Sequence, residues 1–243
     1  MRGVYAFGVW LFRYRNGVFP GVLLALFAIF PPQLFGGTQR ADLTLDIVGI
    51  LIAASGQALR FAVVGLAYIK RGGMNKQVYA SSLVTDGLFA HSRNPLYVGN
   101  LLILAGIFII HNHPLATLGG ALFYGFGYFA IVKTEERFLG AKFGDDYRAY
   151  CARVPCWLPR WQGISATVAG MQFNWRRVCS KELASFLVWA LAVVGLLASE
   201  AMRTGGMSSQ RELTLSACAL VLAVGFVLLG VAKKQGAFAE PAV

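Results

Sequence analysis

The chain has 243 residues, 57% of them hydrophobic and only 14% charged, where soluble domains carry about a quarter charged residues. Together with a mean hydropathy of +0.59 and long apolar stretches alternating with basic loops, this excludes disorder, a collagen repeat, a disulfide scaffold and an ordinary soluble core. The formal charge of +11 comes from cations beside apolar spans rather than on one polar face. They read as topology signals and anionic-lipid contacts, with no nucleic-acid partner.

In chain order, the stretch 3–12 precedes Arg13 and Arg15 with no small-residue cleavage site, and it is expected to be an interfacial helix. A spanning helix needs about 20 apolar residues, which predicts six spans at 17–37, 47–69, 95–110, 114–132, 182–198 and 213–232. Pro31 and Pro32 are expected to kink or end the first, because proline lacks the amide donor and clashes with the preceding turn. The fold class is therefore all-α: a polytopic bundle of about six transmembrane helices. Segments 1–16, 70–94, 133–181 and 233–243 hold 18 Lys and Arg, against 3 in the opposite loops. The positive-inside rule then places both termini and both long loops in the cytosol. The four cysteines, Cys151, Cys156, Cys179 and Cys218, show no C-x-x-C spacing and read as reduced thiols.

The H-N-H-P run at 111–114 is short enough to force an antiparallel hairpin between the third and fourth helices. At the hairpin's other end, Asn94 followed by Pro95 reads as an N-cap whose side-chain oxygen accepts a free amide, then a first helical position. Folding the hairpin puts Glu135 level with Ala90 and Arg93 level with Val132. Two distant polar clusters then meet: T-D-G-L-F-A-H-S-R-N-P-L-Y-V-G-N at 85–100 and E-E-R-F-L-G-A-K-F-G-D-D-Y-R-A-Y-C-A-R-V-P at 135–155. Tyr147, Tyr150, Cys151 and Val154 recur at helical spacing before Pro155, Trp157 and Trp161, which predicts an interfacial amphipathic helix acting as a lid or an anchor.

These two clusters resemble the signature of the integral-membrane methyltransferases that include isoprenylcysteine carboxyl methyltransferase and phosphatidylethanolamine N-methyltransferase. The resemblance covers roughly residues 70–160. It divides the chain into N-terminal helices (1–69), a catalytic core (70–162) and a C-terminal linker with a helix pair (163–243). It implies S-adenosyl-L-methionine as cofactor, contacted by Leu83, Val84, Phe89, Asn94, Pro95, Leu96, Tyr97 and Glu135, with Glu136 beside them and Arg93, Tyr97 and Glu135 central to catalysis. The chemistry is coherent with those residue types. A helix start at Asn94–Tyr97 offers amides and a positive dipole end to a carboxylate. Glu135 suits an ammonium, Phe89 or Tyr97 a sulfonium, and Gly87 and Gly99 allow close backbone approach.

Methyl transfer is a direct displacement driven by alignment, so neither a nucleophilic side chain nor a metal is expected, and a general base only for a protonated acceptor. Where the carboxyl-methylating branch carries an arginine four residues before the first glutamate, this sequence has Ile131. Carboxylate acceptors are thereby put in question, and an amine-bearing lipid or another amphiphile fits as well. Asn94 also stands where a histidine is common. Substrate contacts are expected from Arg60, Asn100, Tyr147 and Arg153. Arg60, inside a span, either anchors a lipid phosphate or pairs with Gln57, Asn100 or a carbonyl. His111 and His113 read as capping or solvated, and Asp46 as solvated at the opposite interface. Arg137 reads as a topology charge. The glycines of the last two helices suit close packing or homodimerisation.

Two rival functions remain: an NADPH-dependent membrane sterol-type reductase, which shares a similar C-terminal pattern, and a non-catalytic scaffold or permease. The acceptor, whether an isoprenylcysteine, a phospholipid amine, a quinone-like lipid or a volatile thiol, would enter from the bilayer.

Overall fold

The computed structural model describes residues 2–66, 71–74 and 77–238. Four helices are long and apolar enough to cross a membrane: α2 (Gln39–Leu66), α4 (Pro114–Arg153), α7 (Leu183–Thr204) and α8 (Ser209–Lys234). The apolar α3 (Pro95–His111) is shorter. The first expected span, 17–37, differs. α1 (Arg2–Ile29) is one continuous helix that absorbs the expected interfacial segment and carries Arg13 and Arg15 in its middle. It ends just before Pro31 and Pro32, which cannot continue it. Short helices α5 (Ile164–Ala169) and α6 (Trp175–Lys181) lie in the segment leading to α7. The strands among the described residues are the antiparallel ribbon β1 (Arg71–Met74) and β2 (Gln77–Ala80), in a segment expected to be loop.

Two helix pairs make the core. α2 packs on α3 along a glycine seam: a Cβ at Gly99 would lie 2.8 Å from the Gly56 carbonyl oxygen and 2.7 Å from Arg60 Cγ. A Cβ at Gly49 would lie 2.6 Å from Ile110 Cγ1. Those contacts set α2 antiparallel to α3, with its N-terminal end beside the 111–114 turn. α1 runs along α4, where Leu11, Phe12, Tyr124, Tyr128 and Ile131 form the main apolar cluster with Tyr97 and Phe108. The Tyr124 hydroxyl donates to the Phe19 carbonyl at 2.6 Å.

The turn between α3 and α4 is as tight as its sequence demands. Asn112 takes the left-handed conformation (φ 47°), Pro114 opens α4, and the His113 ring accepts the Ala116 amide at 3.4 Å. His111 stacks on Phe27 with ring centroids 3.7 Å apart and bonds the Phe30 carbonyl at 2.6 Å. Both histidines are buried, so His113 caps and neither is solvated. α4 continues well past its apolar part and bends at Gly144, where φ is 52° and ψ −119°. The expected interfacial helix is this bent continuation, ending at Arg153.

Candidate functional site

The pocket-side end of the α3–α4 hairpin is built by the second cluster clamping the first. Tyr150 donates its hydroxyl to the Phe89 carbonyl at 2.8 Å. Beyond Pro155, the chain folds back along residues 91–94. The Arg93 amide bonds the Pro155 carbonyl at 2.9 Å, and the Arg160 amide bonds the His91 carbonyl at 2.9 Å. Ser92 Oγ donates to the Trp157 carbonyl at 3.0 Å. His91, buried, bonds the Arg160 carbonyl through Nδ1 at 2.7 Å and Thr167 Oγ1 through Nε2 at 2.9 Å. The start of α3 is therefore held by a strap, not merely by its own cap.

Asn94 is affected by that strap. It sits at the N-cap position, but its side chain makes no capping bond and instead donates Nδ2 to the Cys156 carbonyl at 3.1 Å. Pro95 occupies the first turn as expected.

Two acid pairs follow. Tyr97, 6% exposed, donates its hydroxyl to Glu135 Oε1 at 2.7 Å. Arg93 Nη1 donates to Glu136 Oε1 and to Cys151 Sγ, each at 2.8 Å. Lys133 Nζ donates to Glu136 Oε2 at 2.8 Å. The two sequence-distant clusters thus meet, with Arg93 one turn beyond its expected level at Val132. Burial pulls the Arg93 guanidinium down, but Glu136 and the flanking thiols outweigh it and hold it above its ordinary value. Burial pushes the Tyr147 and Tyr150 phenols up. It also raises the Cys156 thiol, with Glu136 adding to the shift and Arg93 opposing it. All three are protonated at neutral pH.

These groups surround a cavity of about 300 Å³, at the small end of ligand sites. Of the residues expected here, Leu83, Val84, Phe89, Arg93, Asn94, Pro95, Leu96, Tyr97, Glu135, Glu136 and Tyr147 line it. Gly87, Gly99, Arg60, Asn100 and Arg153 do not. Gly99 serves the α2–α3 seam, and Gly87 supplies a turn with φ 60°. Arg60 bonds Glu182 Oε2 through Nε at 2.8 Å and also reaches Asn100 Oδ1, so its charge is met by a carboxylate the sequence reading had not considered. Arg137 lies over the Tyr5 ring, 4.3 Å from its centroid.

The sequence reading missed two α1 residues, Phe12 and Arg15, which close the cavity from the side. The Arg15 guanidinium sits 4.1 Å from the Phe12 ring centroid, and its Nη1 is buried without a hydrogen-bond partner. The available signal was an arginine pair inside a long apolar stretch, which was read as topology alone.

A polytopic helical membrane protein with a polar, aromatic-walled cavity at one end of an antiparallel hairpin is the class these features define. The phospholipid methyltransferase family matches residues 45–146. The protein-S-isoprenylcysteine O-methyltransferases of Schizosaccharomyces pombe and Homo sapiens are 35% identical over 77 residues and 30% identical over 122. Those matches cover 32% and 49% of this chain, and 33% and 43% of the relatives. The cobalt-zinc-cadmium resistance protein CzcN of Cupriavidus metallidurans is 31% identical over 154 residues, 62% of this chain and 66% of that protein. The chain thus spans less than two thirds of each of these relatives' lengths. No solved structure matches significantly. These matches support a relationship of residues 45–146 to the integral-membrane methyltransferases that include the isoprenylcysteine and phospholipid enzymes.

Proposed function

We propose that this protein is an S-adenosylmethionine-dependent methyltransferase acting on a lipidic acceptor with an anionic headgroup at the cytosolic membrane face. The observation that carries the reading is the convergence of Tyr97–Glu135 and Arg93–Glu136 on the start of α3 within one cavity.

The residues fit a donor that bears a carboxylate, an ammonium, a sulfonium and an adenine. Arg93 Nε is buried without a hydrogen-bond partner, and with the α3 N-terminus it suits the carboxylate. Glu135 suits the ammonium. The aromatic walls Phe89, Tyr147 and Tyr150 suit the flat base and the sulfonium. When bound, S-adenosylmethionine supplies an electrophilic methyl group on a sulfonium sulfur.

The chain's own residues align and insulate. Phe12, Val132 and Leu139 keep water from the reacting centre. The protonated phenols of Tyr147 and Tyr150 add no competing anion. Arg15 lines the cavity and carries a donor unmet by protein; in this reading it offers from α1 the cation that Ile131 denies from α4. That restores an anionic acceptor, carboxylate or phosphate, to the candidate set.

The test is equilibrium binding of labelled S-adenosylmethionine to the purified full chain in detergent, with NADPH as competitor. Saturable binding that excess NADPH does not displace is expected. NADPH binding alone would mark a reductase, and binding of neither would leave a scaffold. Arg15→Gln should leave donor affinity within about twofold while sharply lowering methyl incorporation into lipid extracts.

A further inference from the structure

At the end of the bundle away from the cavity, α2 and α7 bring together three carboxylates that the proposed chemistry does not use. Asp42 and Asp46 lie in the first two turns of α2, and Glu200 near the end of α7. All three are buried, Asp46 and Asp42 at 4% exposure and Glu200 at 1%. One carboxylate oxygen from each lies within 4.8 Å of the other two. Asp46 had been expected to be solvated at this interface. The structure instead covers it with α7 and the start of α8, because Arg211 and Glu200 close over it.

Protein cations meet the cluster only loosely. Arg211 is the cation paired with the cluster among the described residues, and only loosely, with Nη2 at 3.9 Å from Asp46 Oδ2 and 3.8 Å from Glu200 Oε1. The Phe35 amide donates to Asp42 Oδ1 at 3.0 Å. Asp46 Oδ1 and Glu200 Oε2 remain buried with no hydrogen-bond partner. Buried carboxylates with unmet oxygens are costly, and three ionised carboxylates facing one arginine would carry two surplus negative charges.

We infer that Asp42, Asp46 and Glu200 form a binding site for one oxygen-preferring divalent cation, of the calcium or manganese class, which fastens α7 to α2. The donor set is all carboxylate oxygen, with neither histidine nor thiolate, which favours hard cations. Oxygens on opposite sides of a calcium ion, each at about 2.3–2.6 Å, stand about 4.6–5.2 Å apart. A spread within 4.8 Å lies inside the reach of three oxygens bound to one such ion. A dication also cancels the two charges left over. The site has a structural use: the Phe61–Phe186 and Gln57–Trp189 contacts tie the first half of α7 to α2, and an ion at Glu200 would tie the other end. The inference stands apart from the proposed methyl transfer, since no residue is shared with the cavity.

The experiment uses the full-length chain in detergent, stripped with EDTA and desalted. Mn2+ binding is followed by electron paramagnetic resonance, Ca2+ binding by equilibrium dialysis, and thermal unfolding is recorded with and without each ion. The expected result is one tight site per chain, a raised unfolding midpoint with either ion, and at least tenfold weaker binding in Glu200→Gln and in Asp46→Asn. The competing account is that the carboxyls share protons. It predicts no stoichiometric Mn2+ or Ca2+ binding by the unsubstituted chain and a Glu200→Gln variant at least as stable as the parent, and that result overturns the inference. The measurement on the unsubstituted chain decides even if a variant fails to fold.

Discussion

Tyr97→Phe removes one oxygen atom from the centre of the proposed donor site and little else. The ring stays packed against Tyr128, whose centroid lies 5.3 Å away, so the apolar burial of Tyr97 is retained. What is lost is the 2.7 Å bond to Glu135 Oε1. A hydrogen bond to a charged group is worth about 1.5–3 kcal/mol, and tenfold in affinity corresponds to about 1.4 kcal/mol. If that bond fixes Glu135 for an ammonium, S-adenosylmethionine affinity should fall by about 10- to 100-fold. The thermal midpoint should move far less than in Tyr97→Ala, which also empties the ring's place. Titration calorimetry on the purified proteins gives the first quantity and a melting curve the second. Unchanged donor affinity in both Tyr97→Phe and Glu135→Gln would refute the assignment of this pair to the donor site.

Three further outcomes follow from the geometry. Gly99→Ala drives a Cβ into the α2–α3 seam, 2.8 Å from the Gly56 carbonyl, and should cost about 1–3 kcal/mol of stability as overpacking. A lowered unfolding midpoint with no new aggregation would register it. Breaking the Arg60–Glu182 pair, whose side chains are 12% and 6% exposed, should cost about 3 kcal/mol in Arg60→Met alone. Adding Glu182→Met should recover most of that, because the stranded carboxylate is then removed; a double-mutant cycle in detergent measures both. The third concerns alkali. Cys156, Tyr147 and Tyr150 are acids raised above ordinary values of 9.0 and 10.0. Below about pH 9 both folded and unfolded chains hold these protons, and stability is flat in this respect. Above it the unfolded chain releases them first, so stability falls as pH rises. Melting curves from pH 7 to 11 should show that decline, weakened in Tyr147→Phe.

Helix kind and most of the spans were legible because twenty-residue apolar runs and proline or glycine boundaries are local properties. α3 begins at Pro95 and α7 and α8 fall within a few residues of their expected starts for that reason. The meeting of residues 93–97 with 135–136 was legible too, since a two-residue turn leaves one way to fold. What escaped were contacts that depend on which helices become neighbours. Arg15 looks like a loop cation until α1 is laid along α4, and Gly99 looks like a ligand-side glycine until α2 is laid against α3. The same is true of Asp46, which is solvated in any reading that does not bring α7 over it. Asn94 failed differently. Its local preference for capping is outweighed by the Cys156 carbonyl, supplied by a strap more than sixty residues away.

That strap explains how a site at the end of a short helix is held to useful precision. α3 has only 17 residues, and at its pocket-side end Tyr97 packs into the α1–α4 core while residues 91–94 lie outside it. Residues 91–94 are therefore tied on one side by the Pro155, Trp157 and Arg160 backbone and on the other by the Arg93–Glu136 ion pair. The bend at Gly144 makes this possible: a straight α4 would carry Tyr150 and Pro155 away from Phe89 and Arg93. A left-handed φ of 52° is open to glycine at little cost and strained for other residues. One backbone position thus turns a spanning helix into both wall and clasp of the cavity.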